Sequence, residues 1–245
     1  MKIRTIKNFI RKTCGLPVYK TRVEINDVLI FDNGEPLVEI IETEKLKVNK
    51  DSHTPLRKSS FPAMTDHKLR KTVYEKLVQA SEKLPDGYSL FVFESFRPYE
   101  VQLARFDFKV QKLKEQFPGV DEAEIKRRAR LGVADPRGGA PHQTGGAVDV
   151  TILDKNGVPL PMGTDWAEFN EKTPTKNWHK IGFKKNGHPI MKNRDLLVKI
   201  MTGAGFVNYP GEWWHYSYGD RMWTAYTGHT QACYGSVDLD KNNIL

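Results

Sequence analysis

The sequence predicts a single α+β domain, with helices packed on a central, mainly antiparallel sheet. Residues 88–93 form an almost unbroken apolar run that suits a buried strand. Residues 65–84 and 98–117 carry apolar side chains at helical spacing. A chain of 245 residues, 39% hydrophobic and 28% charged, can bury a core without disulfides or structural metals. Strands and helices of these types, packed face to face, predict the α+β class.

The first third of the chain predicts a hairpin and a helix. Short β-branched runs flank Asn33 and Gly34 within 28–41, a pattern typical of a β-hairpin. Apolar residues then recur every three or four positions from 65 to 84, and Thr65 or Asp66 can cap the start of that helix.

The middle of the chain predicts a strand followed by two helices. The strand at 88–93 ends just before Arg97, because Pro98 cannot continue a ladder. Residues 98–117 predict a helix, and 121–130 a second, highly charged one.

The last hundred residues alternate between loop and regular structure. Glycines and prolines predict a loop over 132–146, followed by a strand at 148–153. Residues 163–190 are expected to be irregular, as is typical of a segment that covers a site. A helix at 195–205 and a strand at 213–218 complete the predicted order.

Composition limits the possible partners and location. The net charge is +8, from 38 basic and 30 acidic residues, and these charges are spread along the chain. No arginine-rich arm or aromatic RNA-binding motif accompanies them, so we expect no nucleic-acid partner. No apolar run approaches the ~20 residues needed to cross a bilayer, and no signal peptide is recognisable, which predicts a cytoplasmic protein. We divide the chain into a basic N-terminal segment, 1–20, and one domain, 21–245.

Two short segments carry the chemistry. One runs from Pro141 to Asp149 and contains His142; the other is Gly211-Glu-Trp-Trp-His215. Two imidazoles and one carboxylate are a sufficient ligand set for a catalytic zinc ion, which keeps its fourth position open. Glu212 is then a spare carboxylate that can act as a general base. Each residue alone has a commoner explanation as a surface or structural side chain, so the prediction depends on their combination.

Strand geometry predicts a kink in each segment. His142 and Asp149 are seven residues apart, which places them on opposite faces of a regular strand. Gly145 and Gly146 allow a sharp turn that brings them together. Glu212 is expected to precede the final strand or to lie at a bulge.

The pattern His-x-x-Gly-x-Ala-x-Asp followed by Glu-x-x-His resembles the zinc D-Ala-D-Ala peptidases. Within them it is most similar to the D-alanyl-D-alanine dipeptidases of vancomycin resistance. The resemblance runs from about residue 69 to 218. Three further segments agree in order: Ser95-Phe-Arg97-Pro98, Pro161-Met-Gly163-Thr164 and Gly203-Ala-Gly-Phe206.

The resemblance implies a role for each site residue. His142, Asp149 and His215 would hold one Zn²⁺ per chain, and Glu212 would act as general base and acid. Arg97 would stabilise the scissile carbonyl as it becomes an oxyanion. Thr164 and Trp214 are expected to shape the substrate pocket.

The chain departs from the family pattern at two places. Ala140 stands where the family usually has a serine two residues before the first histidine. Ala167 stands where the dipeptidases carry an aspartate that holds the substrate's free ammonium. Asp165 and Glu168 are the candidates to replace that carboxylate.

The sequence therefore predicts a zinc-dependent D,D-dipeptidase that hydrolyses D-Ala-D-Ala or a similar small peptide. One alternative is a D,D- or L,D-carboxypeptidase acting on peptidoglycan stem peptides. A second alternative is a non-catalytic binding module on a peptidase scaffold. Turnover of a free dipeptide but not of an acetylated one distinguishes the first reading from the carboxypeptidase.

Overall fold

A computed structural model describes residues 22–55, 57, 61–176 and 188–237. The helices among them are α1 (Arg22–Asn26), α2 (Lys71–Glu82), α3 (Tyr99–Gln116), α4 (Glu122–Ala129), α5 (Pro189–Gly203) and α6 (Arg221–Thr227). The strands are β1 (Leu29–Ile30), β2 (Leu37–Glu39), β3 (Leu46–Val48), β4 (Lys68–Arg70), β5 (Ser89–Glu94), β6 (Ala147–Leu153), β7 (Val207–Asn208), β8 (His215–Ser217) and β9 (Gln231–Ala232). Single 3₁₀ turns lie at Pro136–Gly138 and Pro141–Thr144.

A five-stranded sheet in the order β3-β5-β6-β8-β7 forms the centre of the molecule. The β3–β5 pair is parallel, and the β5–β6, β6–β8 and β7–β8 pairs are antiparallel. Every side chain of β6 is buried, which suits its place in the middle of the sheet. The predicted α+β class and mainly antiparallel sheet are therefore confirmed.

Helices α2 and α5 contribute apolar residues to the main core beside this sheet. Val73 and Leu77 of α2 and Leu197 of α5 are fully buried in one cluster with Leu90 of β5 and Val150 of β6. Burying one such leucine contributes about 1.5–3 kcal/mol. This packing holds the strands that carry the site.

Helices α3 and α4 pack together around a smaller core of their own. Phe106 and Val110 of α3 pack against Ile125 and Ala129 of α4. Asp121 caps α4 by accepting a hydrogen bond from the main-chain N–H of Glu124. Helix α3 supplies part of the wall of the main cavity.

The predicted hairpin at 28–41 is wrong. Strand β1 pairs in parallel with β9, and β2 pairs antiparallel with β4. Around Gly34 the Asp32 and Asn33 side chains accept main-chain N–H groups two residues ahead, but residues 31–36 form no regular turn. Each flanking strand nevertheless hydrogen-bonds a distant segment, which local turn chemistry does not reveal.

Several predicted boundaries also shift. The helix expected from 65 begins at Lys71, without a cap from Thr65 or Asp66, because 68–70 pair with β2. The helix expected at 195 begins at Pro189, where His188 caps it. Strand β8 is shorter than predicted, since the two tryptophans before it lie in a turn. The predicted strands at 88–93 and 148–153 and helices at 98–117 and 121–130 are confirmed.

Some expectations fall partly or wholly outside the described residues. These are the N-terminal segment 1–20 and residues 177–187 of the expected cover segment. Residues 163–176 form no helix or strand, as predicted. Within the described ranges, no helix combines the length and the apolar character that crossing a bilayer requires.

Candidate metal centre

Three predicted ligands converge from three separate elements. His142 lies on the 3₁₀ turn Pro141–Thr144, Asp149 on β6 and His215 on β8. Asp149 and His215 are direct cross-strand partners. Gly145, at φ 70°, ends the 3₁₀ turn and directs the chain into β6, as the spacing predicted.

The donor atoms of the three residues surround one point. Asp149 Oδ1 lies 3.0 Å from His215 Nδ1 and 3.3 Å from His142 Nε2. All three donor atoms lie within 4.8 Å of one another, and all three residues are buried. This spacing fits a single ion bound by three protein ligands.

The opposite side of each ligand is held by another group. His142 Nδ1 lies 2.7 Å from the carbonyl oxygen of Ser95. Trp166 Nε1 donates to Asp149 Oδ2 at 3.1 Å, and His215 Nε2 lies 3.4 Å from the Ser217 hydroxyl. Such contacts fix the ring and carboxylate orientations around a metal.

The protonation states suit metal binding. Burial lowers the pKa of His142, which favours the neutral imidazole. Burial alone would raise the pKa of Asp149, but the two histidines outweigh it and hold that pKa well below its usual value. A neutral imidazole and an ionised carboxylate are the forms that bind a cation.

Glu212 lies in the turn before β8 and lines the same cavity as the three ligands. The prediction that it precedes the strand is confirmed. Burial raises the pKa of Glu212 to about 7, with Asp149 adding to the increase and His215 and Arg97 opposing it. A carboxyl group with a pKa near neutrality is suited to accept and return a proton.

Arg97 lines the cavity, and its backbone N–H donates to the carbonyl oxygen of His142 at 3.0 Å. Its guanidinium pairs with Glu94, with Nη2 at 2.6 Å from Oε2 and Nε at 3.2 Å from Oε1. It also donates to the Gln102 side-chain oxygen. Arg105 holds the other side of Glu94, at 2.6 Å. Arg97 is thus fixed in place beside His142.

The sequence reasoning missed Glu94, Arg105 and Trp166. Glu94 was recognisable as the acidic residue that ends the apolar run of β5. Arg105 lies within α3, and its sequence neighbourhood does not show that it pairs with Glu94 at the end of β5. Trp166 lies in irregular chain, where no periodicity indicates which side chains turn inward.

The predicted substrate-binding residues divide between two cavities. Trp214 is buried and lines the main cavity, about 860 Å³ in volume, together with the ligands. Thr164, Asp165 and Glu168 line a neighbouring cavity on the other side of Trp166. Thr164 accepts the indole N–H of Trp213, and Glu168 accepts the main-chain N–H of Asp165. The structure does not bring these three residues into the main cavity.

Ala167 lines the main cavity and has a left-handed backbone, at φ 58°. Residues other than glycine rarely adopt this conformation, which costs about 1–2 kcal/mol for an L-residue. Strained backbone of this kind is typical of functional sites. Ala167 therefore contributes no carboxylate to the lining of the cavity.

The α+β fold and the His, Asp, His centre with an adjacent glutamate define a metal-dependent hydrolase. The model of the peptidase family M15, described as D-ala-D-ala dipeptidase, matches residues 67–233. The chain therefore belongs to this family and is a zinc metallopeptidase.

Curated relatives agree with that family. The D-alanyl-D-alanine dipeptidase of Synechocystis sp. is 29% identical over 213 residues, 79% of this chain and 86% of that protein. The dipeptidase of Escherichia coli is 37% identical over 89 residues, 34% of this chain and 40% of that protein. The dipeptidase of Enterococcus faecalis is 26% identical over 136 residues, 53% of this chain and 62% of that protein.

Among solved structures, VanYB in complex with D-alanine-D-alanine aligns with a TM-score of 0.40 at 20% identity. The alignment covers 66% of this chain and 80% of that one. Likeness at this level adds nothing to the assignment, which rests on the family match.

Proposed function

We propose that the protein is a zinc-dependent D,D-dipeptidase that hydrolyses D-alanyl-D-alanine or a closely similar dipeptide. The curated relatives, all named D-alanyl-D-alanine dipeptidase, support this substrate class. The observation that carries the proposal is the location of Glu212 in one cavity with His142, Asp149 and His215. The enzyme family also argues against a non-catalytic binding module.

His142, Asp149 and His215 would hold the zinc ion, and their donor set and spacing fit it. When bound, zinc supplies a Lewis acid that polarises a peptide carbonyl and lowers the pKa of water.

Glu212 then takes a proton from the attacking water and returns it to the leaving amine. Its pKa of about 7 allows both transfers near neutral pH. Arg97, held rigidly by Glu94, stabilises the negative charge that develops on the carbonyl oxygen. Because the guanidinium is already fixed in place, it need not reorganise during the reaction.

The cavity also favours a second candidate, a carboxypeptidase that acts on longer D,D-peptides. Its volume of about 860 Å³ exceeds what two alanine residues require, and it extends to Lys109, Lys112 and Arg130. Ala167 offers no carboxylate for a free ammonium. These features leave room for a substrate whose amino end is part of a longer, anionic peptide.

Hydrolysis of a peptide panel tests both candidates. D-alanyl-D-alanine, its N-acetyl form and a D,D-terminated pentapeptide are incubated with the zinc-loaded enzyme and with Glu212→Gln. We expect rapid release of D-alanine from the free dipeptide, little from the blocked forms, and a loss of about 10²–10⁴-fold in the variant, the contribution typical of a general base. Preference for the blocked or longer peptides favours the carboxypeptidase. Absence of hydrolysis throughout the panel contradicts both candidates.

A further inference from the structure

Arg194 is a buried arginine of α5 that binds both ends of the chain segment 162–175. It is only 1% exposed. Its guanidinium donates four hydrogen bonds of 2.8–3.3 Å, to the main-chain carbonyl oxygens of Met162, Lys172, Pro174 and Thr175. Nε binds the Met162 end, and the two Nη nitrogens bind the other end. Because a guanidinium is planar and rigid, it fixes these two stretches of chain relative to each other and to the helix.

Between its two ends, the segment carries part of the wall of the metal cavity. Trp166 and Phe169 line that cavity. The indole N–H of Trp166 donates to Asp149 Oδ2 at 3.1 Å, so the segment supplies a hydrogen-bond donor to a metal ligand. The Phe169 ring contacts Trp214 edge to face, with 5.6 Å between the ring centres. The place where the ends of the segment are held therefore decides where these two side chains lie.

Hydrogen bonds inside the segment fix its shape rather than its position. The Thr173 hydroxyl donates to the carbonyl oxygen of Glu168 at 2.7 Å, and the Glu168 side chain accepts the main-chain N–H of Asp165 at 2.9 Å. A compact loop of this kind keeps its shape, so its placement on the sheet depends on the groups that hold its ends. Arg194 ties both ends to α5 and is not among the described residues that line the cavity. Its effect on the metal centre must therefore pass through the chain that it holds.

We propose that Arg194 is a positioning residue for the metal centre, because it holds Trp166 against Asp149 through the two ends of the segment. Groups that hydrogen-bond a metal ligand fix its orientation, and their loss weakens metal binding. Arg194 thus sets the affinity for zinc without touching the ion or its ligands. The inference goes beyond the proposed substrate, since it concerns the metal centre and holds for any peptide that the enzyme hydrolyses.

A second route from Arg194 to the metal centre runs through Trp213. The guanidinium carbon lies 5.8 Å from the centre of the Trp213 ring, and Trp213 precedes His215 by two residues. If Arg194 acts through Trp166, its replacement changes nothing further once the indole N–H has been removed. If it acts through Trp213 or through overall stability, the two losses are independent and multiply. A double-mutant cycle distinguishes the two routes.

The experiment measures zinc dissociation constants by chelator competition for the wild-type protein, Arg194→Lys, Trp166→Phe and the double variant. Lysine keeps the charge but cannot span both ends of the segment. Leu197→Ala is the control, because this leucine is fully buried on the same helix and its side chain makes no hydrogen bond. The melting temperature of each metal-free protein is recorded as well.

We expect Arg194→Lys to weaken zinc binding ~10-fold, within the ~10–100-fold range for loss of a group that hydrogen-bonds a ligand. The double variant should lie within ~2-fold of Trp166→Phe, because the placement of the ring no longer matters without its N–H. Leu197→Ala should lower the melting temperature but leave the zinc dissociation constant within ~2-fold of the wild-type value, because it opens a cavity in the core without releasing the ends of the segment.

An unchanged zinc affinity in Arg194→Lys overturns the proposal, as do losses that multiply in the double variant or an equal loss in Leu197→Ala. If Arg194→Lys does not fold, Arg194→Gln replaces it in the cycle, since its amide can still donate to one end. If neither variant folds with zinc present, Arg194 serves folding alone and the proposal is overturned. Failure of the proposed function appears separately, as an absence of peptide hydrolysis, and the zinc measurements still decide for or against Arg194.

Discussion

Replacement of Glu94 by glutamine preserves the size of the side chain and removes the charge that Arg97 and Arg105 share. Glu94 is only 1% exposed, and both guanidiniums lie within 2.6 Å of its oxygens. Removing one partner of a buried ion pair costs about 3–5 kcal/mol, because the other charge stays buried without compensation. For a protein of this size, that loss corresponds to a decrease in melting temperature of roughly 6–20 °C.

The destabilisation should depend on pH. Burial alone would raise the pKa of Glu94, but Arg97 and Arg105 outweigh it and hold the folded-state pKa well below the ordinary value of 4.5. The contribution of the carboxylate to stability is therefore complete above pH 4.5 and is lost as the pH falls toward the folded-state pKa. Each pH unit below 4.5 removes about 1.4 kcal/mol.

The assay is urea unfolding of the metal-free wild-type protein and Glu94→Gln at pH 7 and pH 3.5. The difference in the free energy of unfolding should be about 3–5 kcal/mol at pH 7 and about 1.4 kcal/mol smaller at pH 3.5. Glu75→Gln, an exposed replacement on α2, should change stability by less than about 0.5 kcal/mol. A difference that is the same at both pH values refutes the reasoning, because the carboxylate would then contribute nothing as a charge.

Three further predictions concern the surroundings of the metal. Trp166→Phe removes the N–H donor to Asp149 and should weaken zinc binding ~10–100-fold in a chelator competition, whereas Trp213→Phe should not. Ala167→Asp should raise the ratio of kcat/KM for free over acetylated D-alanyl-D-alanine by about tenfold, because it adds one charge-assisted hydrogen bond to the free ammonium. An unchanged ratio would contradict an ammonium-binding role for this position. Gly146→Ala places a Cβ 2.5 Å from a main-chain oxygen just after β8 and should cost about 1–3 kcal/mol in thermal unfolding.

The sequence predicted the parts of the fold whose signal is local. The apolar run of β5 and the periodicity of α3 required no knowledge of distant residues, and both were placed within a residue or two. The predicted hairpin at 28–41 was wrong for the opposite reason, because its strands pair with distant residues. These strands pair with 68–70 and 231–232, and a register set by distant partners leaves no trace in the short segment between them.

The residues of the candidate site likewise include some that the sequence predicted correctly and some that it did not. His142, Asp149 and His215 were predicted from their residue types together with the family resemblance, and the structure brings them to one point. The direction of side chains in irregular chain was not predictable. Asp165 and Glu168 lie on either side of a left-handed residue, Ala167, and this backbone conformation coincides with their placement in the neighbouring cavity.

The parallel pairing of β1 with β9 has a consequence for biosynthesis. Leu29 and Gln231 are register partners, although about two hundred positions separate them along the chain. Tyr234, close behind β9, reaches Glu35 and also lines the catalytic cavity. A polypeptide emerging from the ribosome cannot complete the part of the cavity lined by Tyr234 until residues beyond 231 have left the exit tunnel. Activity should therefore arise late, as a single step, instead of growing with the length of the nascent chain.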